Sequence, residues 1–134
     1  MPAVLLDTNA ISDLMMDHPK VRARLLACTD PILTSTIVLG EIRYGLNRLT
    51  LGKKRTDLEN RALRTLLGIP IEQVTQPISD EFGRLKASLE AQGIILGDND
   101  LWIAATALSL SYTLITRDSI FIRIPGLQVE DWSQ

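Results

Sequence analysis

The sequence predicts an α/β fold in which a short, mostly parallel sheet lies between two layers of helices. Three observations lead there: brief apolar runs alternate along the chain with longer segments of helical periodicity, 46% of the 134 residues are hydrophobic, and no repeat, low-complexity tract or linker interrupts the pattern. Alternation of this kind requires crossover connections, and crossovers place helices on both faces of a parallel sheet. The hydrophobic share suffices for one core, so a single domain over residues 1–134 is expected.

In chain order, Ala3 to Leu6 is an apolar run that stops at Asp7-Thr8-Asn9, as a buried strand with a polar carboxyl end should. Ile11 to Met16 and Pro19 to Cys28 read as two helical pieces, the second opened by a proline suited to a first turn. Ile32 to Thr34 is a second, weaker strand. After it, Ser35 or Thr36 can cap a helix that carries Val38, Leu39, Ile42, Leu46 and Leu49 at helical spacing. Lys53 to Leu67 is an amphipathic helix ended by Gly68 and Pro70, Ile71 to Val74 is a third strand, and Asp80 to Gln92 is a helix stopped by Gly93. Asn99 to Leu110 contains Ala104, Ala105 and Ala107, small enough to let a helix lie close against a sheet. Thr113 to Thr116 is the next strand, and Leu127 to Val129 is a last edge strand.

A net charge of −2 argues against a protein that coats nucleic acid with a uniformly basic surface. Any such contact must be local. The densest basic stretch, Arg48, Lys53, Lys54 and Arg55 continued by Arg61 and Arg64, reads either as a track for a phosphate backbone or as a solvated loop and helix start. Cys28 is the only cysteine, which excludes an internal disulfide and fits a reducing cytoplasm. No run approaches the roughly 20 apolar residues of a membrane span, so a soluble chain without a secretory signal is expected. His18 is the only histidine, ruling out a two-histidine ribonuclease, and its loop position suggests a solvent-exposed role. There is no G-x-S-x-G or G-x-G-x-x-G motif, and Gly52-Lys53 lacks the preceding strand and glycine spacing of a phosphate loop.

In open parallel sheets, ligands bind outside the carboxyl ends of the strands. The two clearest strands each deliver an acid there, Asp7 after Leu5-Leu6 and Asp118 after Leu114-Ile115-Thr116-Arg117. Glu41 shares one side of its helix with Val38 and Gly45, which turns it inward or into a cleft. Asp100 heads a stripe of Ile103, Ala104 and Ala107 at helical spacing and so points where the core points. Taken singly, each acid has an ordinary alternative. Asp7 and Asp118 can cap the turns that follow them, Glu41 can pair with Arg43 or a neighbouring helix, and Asp100 can favour the positive end of its helix dipole. Packed together without cations, the four would repel one another strongly. Divalent metal resolves the repulsion, and all-carboxylate donors select magnesium or manganese over zinc. Two ions held by such a cluster can clamp the attacking water and leaving oxygen of a phosphodiester, with no need of a histidine base.

The motifs Leu5-Leu6-Asp7-Thr8-Asn9, Glu41-Ile42-Arg43-Tyr44-Gly45, Asn99-Asp100-Leu101-Trp102-Ile103-Ala104-Ala105 and Thr116-Arg117-Asp118 span nearly the whole chain. In this order and at these separations they resemble the PIN-domain family, and within it the VapC and FitB-like toxins of bacterial toxin–antitoxin pairs. The resemblance implies a PIN-like three-layer α/β/α sandwich and a metal-dependent ribonuclease that prefers single strands. It further implies a homodimer silenced by a small antitoxin with a basic inhibitory segment. Asp7, Glu41 and Asp100 match the family's three central acids, Asp118 a fourth that many members replace with asparagine, and Asn9 and Thr116 its polar helpers. Asp98, two residues before Asp100, falls on nearly the opposite side of a helix and is expected to be its N-cap.

Two other readings compete. A receiver-like phosphoacceptor domain also gathers acids at strand ends, but it wants an acidic pair after the first strand, where Asp7 stands alone beside Leu6. A catalytically silent PIN module that binds only RNA or protein would have no reason to keep four mutually repelling acids.

Overall fold

The structure, a computed structural model, describes residues 2–134. Its elements run β1 (Val4–Leu6), α1 (Thr8–Met15), α2 (Pro19–Ala27), β2 (Ile32–Ser35), α3 (Thr36–Asn47), α4 (Lys53–Leu66), β3 (Ile71–Glu72), α5 (Gln76–Ala91), α6 (Asp98–Leu110), β4 (Thr113–Ile115), a 3-10 turn (Ser119–Arg123) and β5 (Val129–Glu130). The five strands form one sheet in the order β3-β2-β1-β4-β5 with every pairing parallel. The predicted fold class is borne out.

Strand β1 is buried on both faces, as its unbroken Val4-Leu5-Leu6 run requires. It pairs with β2 through Val4↔Ile32 and Leu5↔Leu33, and with β4 through Leu5↔Leu114 and Leu6↔Ile115. From β1 the chain crosses outward to β2 and β3, then returns past β1 to lay down β4 and β5 on the other side. Because parallel crossovers are right-handed, the helices of the two excursions cover opposite faces. In agreement, α1 packs against α2, α3 and α4, while α5 lies along α6. The reversal leaves a crevice at the carboxyl ends of β1 and β4, where open sheets of this kind take their ligands.

Differences from the sequence reading lie mostly at element ends. Helix α1 starts at Thr8 rather than Ile11, because the Asp7 carboxylate caps it directly. Helix α5 starts at Gln76 rather than Asp80: Pro77 is tolerated in a first turn, and the helix gains buried Ile78 for the face that also carries Leu85 and Leu89. Helix α6 is more enclosed than a single stripe implies, since Leu101 and Ile103 through Ala107 are all buried. His18 is half-buried rather than exposed, its Nδ1 accepting the Val21 N–H at 3.3 Å to cap α2. The basic stretch divides. Arg55 donates to Asn47 Oδ1 at 2.9 Å and Arg61 to the Met15 carbonyl at 3.0 Å, so both brace helices, whereas Arg48, Lys53 and Lys54 remain exposed.

Helix α6 ends at Ser111 in a left-handed conformation, φ +57°, a site that glycine or asparagine usually fills. Ser111→Gly should therefore raise the unfolding free energy by roughly 0.5–1 kcal/mol, the left-handed penalty less the added chain entropy. Ser111→Ala should give no gain. Chemical denaturation of the two variants checks both outcomes.

Candidate active site

Asp7 leaves β1 at the centre of the sheet with only 5% of its surface exposed. Its N–H donates to the Ile115 carbonyl at 3.0 Å, continuing the β1–β4 ladder. Oδ1 accepts the Thr8 N–H at 2.7 Å, and Oδ2 accepts the Thr116 hydroxyl at 2.8 Å. Thr116 Oγ1 accepts in turn from Asn9 Nδ2 at 2.9 Å and from the Asp118 N–H at 3.1 Å. Asn9 Oδ1 accepts the Arg117 N–H at 3.1 Å. The two polar helpers named from sequence thus form one network with Asp7 across the β1–β4 seam.

Glu41, near the middle of α3, is reached from the other side: its Oε1 accepts the Thr8 hydroxyl at 2.6 Å. Asp118, exposed after β4, accepts the Ile120 N–H at 3.1 Å and caps the 3-10 turn. Asp100 lies in the first turn of α6, half-buried, and its carboxylate accepts no side-chain hydrogen bond from the described residues. All four acids, with Thr8 and Asn9, line one open cleft of about 310 Å³. The capping roles weighed for Asp7 and Asp118 are real, yet they coexist with membership of the cleft.

The charges in this cleft are felt. Burial raises the Asp7 carboxyl above its ordinary value; hydrogen bonds from Thr116 and Thr8 pull it back, and the charges of Glu41 and Asp118 push it up. Asp100 is pushed up to about 6, first by burial and then by the charges of Asp7, Asp118 and Glu41. Among the described residues, no three acidic, histidine or cysteine side chains close into a ready-made metal cage. The donors are nevertheless all carboxylate oxygens facing one cleft. That set fits a small hard cation which keeps several waters and takes few protein ligands, and it does not fit zinc.

Asp98 is a correction. The N-cap of α6 is Gly97, whose carbonyl accepts the Leu101 N–H at 3.0 Å, so the helix begins one residue earlier than expected and Asp98 is its first residue. Its exposed carboxylate accepts Lys86 Nζ from α5 at 2.9 Å, away from the cleft. The sequence reading also passed over Thr8, hidden by placing the start of α1 at Ile11. It gave no role to the Arg117–Asp13 pair either, whose residues stand far apart in the chain.

A family model described as PIN domain matches residues 4–127. The chain belongs to the PIN-domain family. Ribonuclease VapC2 of Rickettsia felis is 33% identical over 134 residues, covering 97% of this chain and 98% of that one. Toxin FitB of Neisseria gonorrhoeae is 29% identical over 124 residues, covering 87% and 88%. Among solved structures, VapBC2 from Rickettsia felis bound to a DNA fragment from their promoter superposes with a TM-score of 0.85 at 32% identity, over 98% of this chain and 99% of that chain. The receiver-like alternative falls with this membership. Among the described residues, no helix is long and apolar enough to cross a membrane.

The PIN cleft sets a pH dependence. The folded-state value of Asp100 lies above the ordinary 3.8, so the folded protein holds that proton more tightly than the unfolded chain. Its ionisation therefore costs stability, progressively as pH rises from about 4 to 6, and in full above that window. In chelator, Asp100→Asn should match wild type in thermal midpoint near pH 4 and exceed it above pH 6. A gap that does not grow with pH would show that neither burial nor the neighbouring acids raise the Asp100 carboxyl.

Proposed function

We propose that this PIN-domain chain is an endoribonuclease that hydrolyses RNA phosphodiester bonds with bound Mg²⁺ or Mn²⁺, and that it is the toxin of a toxin–antitoxin pair. The observation that carries the reading is the convergence of Asp7, Glu41, Asp100 and Asp118, from four separated segments, on one cleft at the sheet's switch point. The names of its relatives, ribonuclease VapC2 and toxin FitB, support the same activity and role.

Asp7, Glu41, Asp100 and Asp118 are the residues that would hold the metal. A divalent ion in this cleft would neutralise the carboxylates, lower the pKa of water and offset charge on the phosphodiester. The chain's own residues prepare the place. Thr116 and the Thr8 N–H fix both oxygens of Asp7, which keeps that carboxylate from rotating. The Thr8 hydroxyl orients Glu41. Asn9 locks the loop after β4 to α1 through Thr116 Oγ1 and the Arg117 N–H, so that Asp118 is delivered at a fixed distance from the β1 end.

The same reading includes a partner. A groove of about 800 Å³ between α1, α3 and α4, lined by Met15, Ile42, Leu46 and Leu58, shares Thr8, Ser12 and Glu41 with the acidic cleft. A small antitoxin whose apolar helix filled this groove could extend a basic segment to the acids, where arginine makes charge-assisted bonds and competes with metal. Action as a single domain that forms a homodimer rests on the resemblance.

Purified protein should cleave single-stranded RNA in millimolar magnesium or manganese and stop when the ion is chelated; undiminished cleavage in chelator overturns the metal mechanism. Two variants refine the test. Asp100→Asn should keep the fold and lose cleavage by orders of magnitude. Asp98→Asn, which weakens only an exposed pair with Lys86, should stay near the wild-type rate.

A further inference from the structure

The acidic cleft contains one cation among its described lining residues, Arg117. Its Nη1 donates to both carboxylate oxygens of Asp13 on α1, at 2.6 and 2.5 Å. The two partners are unequally placed. Asp13 is 14% exposed, whereas Arg117 is 49% exposed. Only Nη1 is engaged, and the Nε and Nη2 donors make no hydrogen bond among the described residues. Those two nitrogens form the guanidinium edge that matches the spacing of two oxygens on a phosphate. Asp131, whose carboxyl is lowered first by the Ser133 hydroxyl, also feels the Arg117 charge and flanks the pair from the C-terminal segment.

We infer that Arg117 is a substrate-binding residue whose open edge takes a phosphate of the RNA strand, and that Asp13 is its positioning residue. The inference rests on the ribonuclease reading and deepens it. A cleft of four carboxylates repels a phosphodiester even when metal offsets part of the charge, so a fixed cation on the wall lowers the barrier to entry. The placement is built from both sides. The Arg117 N–H is tied to Asn9 and its side chain to Asp13, one turn apart on α1, so backbone and guanidinium are registered to the helix that Asp7 caps. An ion pair serving only to join α1 to the loop after β4 would have no need of an arginine that also lines the acidic cleft and keeps two donors without a partner among the described residues.

The experiment compares the two halves of the pair. Arg117→Gln, Arg117→Lys and Asp13→Asn would be assayed on a labelled random-sequence pool of single-stranded RNA, for cleavage in magnesium and for binding by fluorescence anisotropy in chelator. Thermal midpoints would be measured alongside. Arg117→Gln should weaken binding and raise the apparent KM by about tenfold or more, the worth of a lost charge-assisted hydrogen bond. Arg117→Lys should recover part of the loss, and Asp13→Asn, which keeps the Arg117 charge but loosens its placement, should cost a smaller share of binding, about threefold. A structural brace predicts the opposite pattern, with Arg117→Gln and Asp13→Asn equal in every readout and tracking their midpoints, and that result overturns the assignment. Wild-type protein that binds the pool without cutting it defeats the nuclease reading alone. Wild-type protein that cuts the pool while Arg117→Gln is unimpaired defeats the Arg117 assignment alone.

Discussion

The Asp7 carboxylate sits at the seam between β1 and β4 with both oxygens spoken for, one by the backbone that starts α1 and the other by the Thr116 hydroxyl beyond β4. A buried charge without such partners would cost several kcal/mol. Here the partners come from the two segments that must meet for the cleft to exist, so solvating Asp7 internally and assembling the site are the same event. Glu41 and Asp118 then follow by geometry, the first through Thr8 and the second through the Thr116–Asn9 network. Asp100 stands apart: among the described residues no side-chain donor answers it, and it bears partial burial and then the repulsion of the other three. The cleft is therefore a region where local stability has been given up.

Much of the fold was legible because its signals are short-range. The β1 run, the Ser35 cap, the Gly93 stop and the alanines of α6 each declare themselves within a few residues. Asp7, Glu41, Asp100 and Asp118 could be singled out as well, since strand ends and helix faces fix where a side chain points before any tertiary contact is known. What stayed hidden depended on pairs distant in sequence. The Arg117–Asp13 bond joins residues 104 positions apart, and no periodicity reports it. Asp98 was misplaced for a subtler reason. A glycine can begin a helix without donating a cap, so the acid that resembles a cap shifts one position inward and is claimed by Lys86.

Two surfaces adjoin on this molecule. The cleft is open and acidic, and on the proposed reading it takes an ion and a phosphate chain. The groove beside it, walled by α1, α3 and α4, is mostly apolar and more than twice as large. Thr8, Ser12 and Glu41 belong to both, so an occupant of the groove lies within one side chain's reach of the acids. On the proposed reading, control and chemistry can meet there without a conformational relay.

The central place of β1 also governs timing. Its partner on one side, β2, follows within about thirty residues, but Thr116, which completes Asp7, comes 109 residues later. On a ribosome, helices α1 to α5 can form and begin to pack while the seam beside β1 is still open, because domains grow from the amino end as they emerge. Until residues 113–118 have been made, Asp7 has no Thr116, Asp118 does not exist, and the cleft has only one wall. On the proposed reading, the four acids can come together only after residue 118 has been made, so the cleft is completed in one late step rather than by degrees.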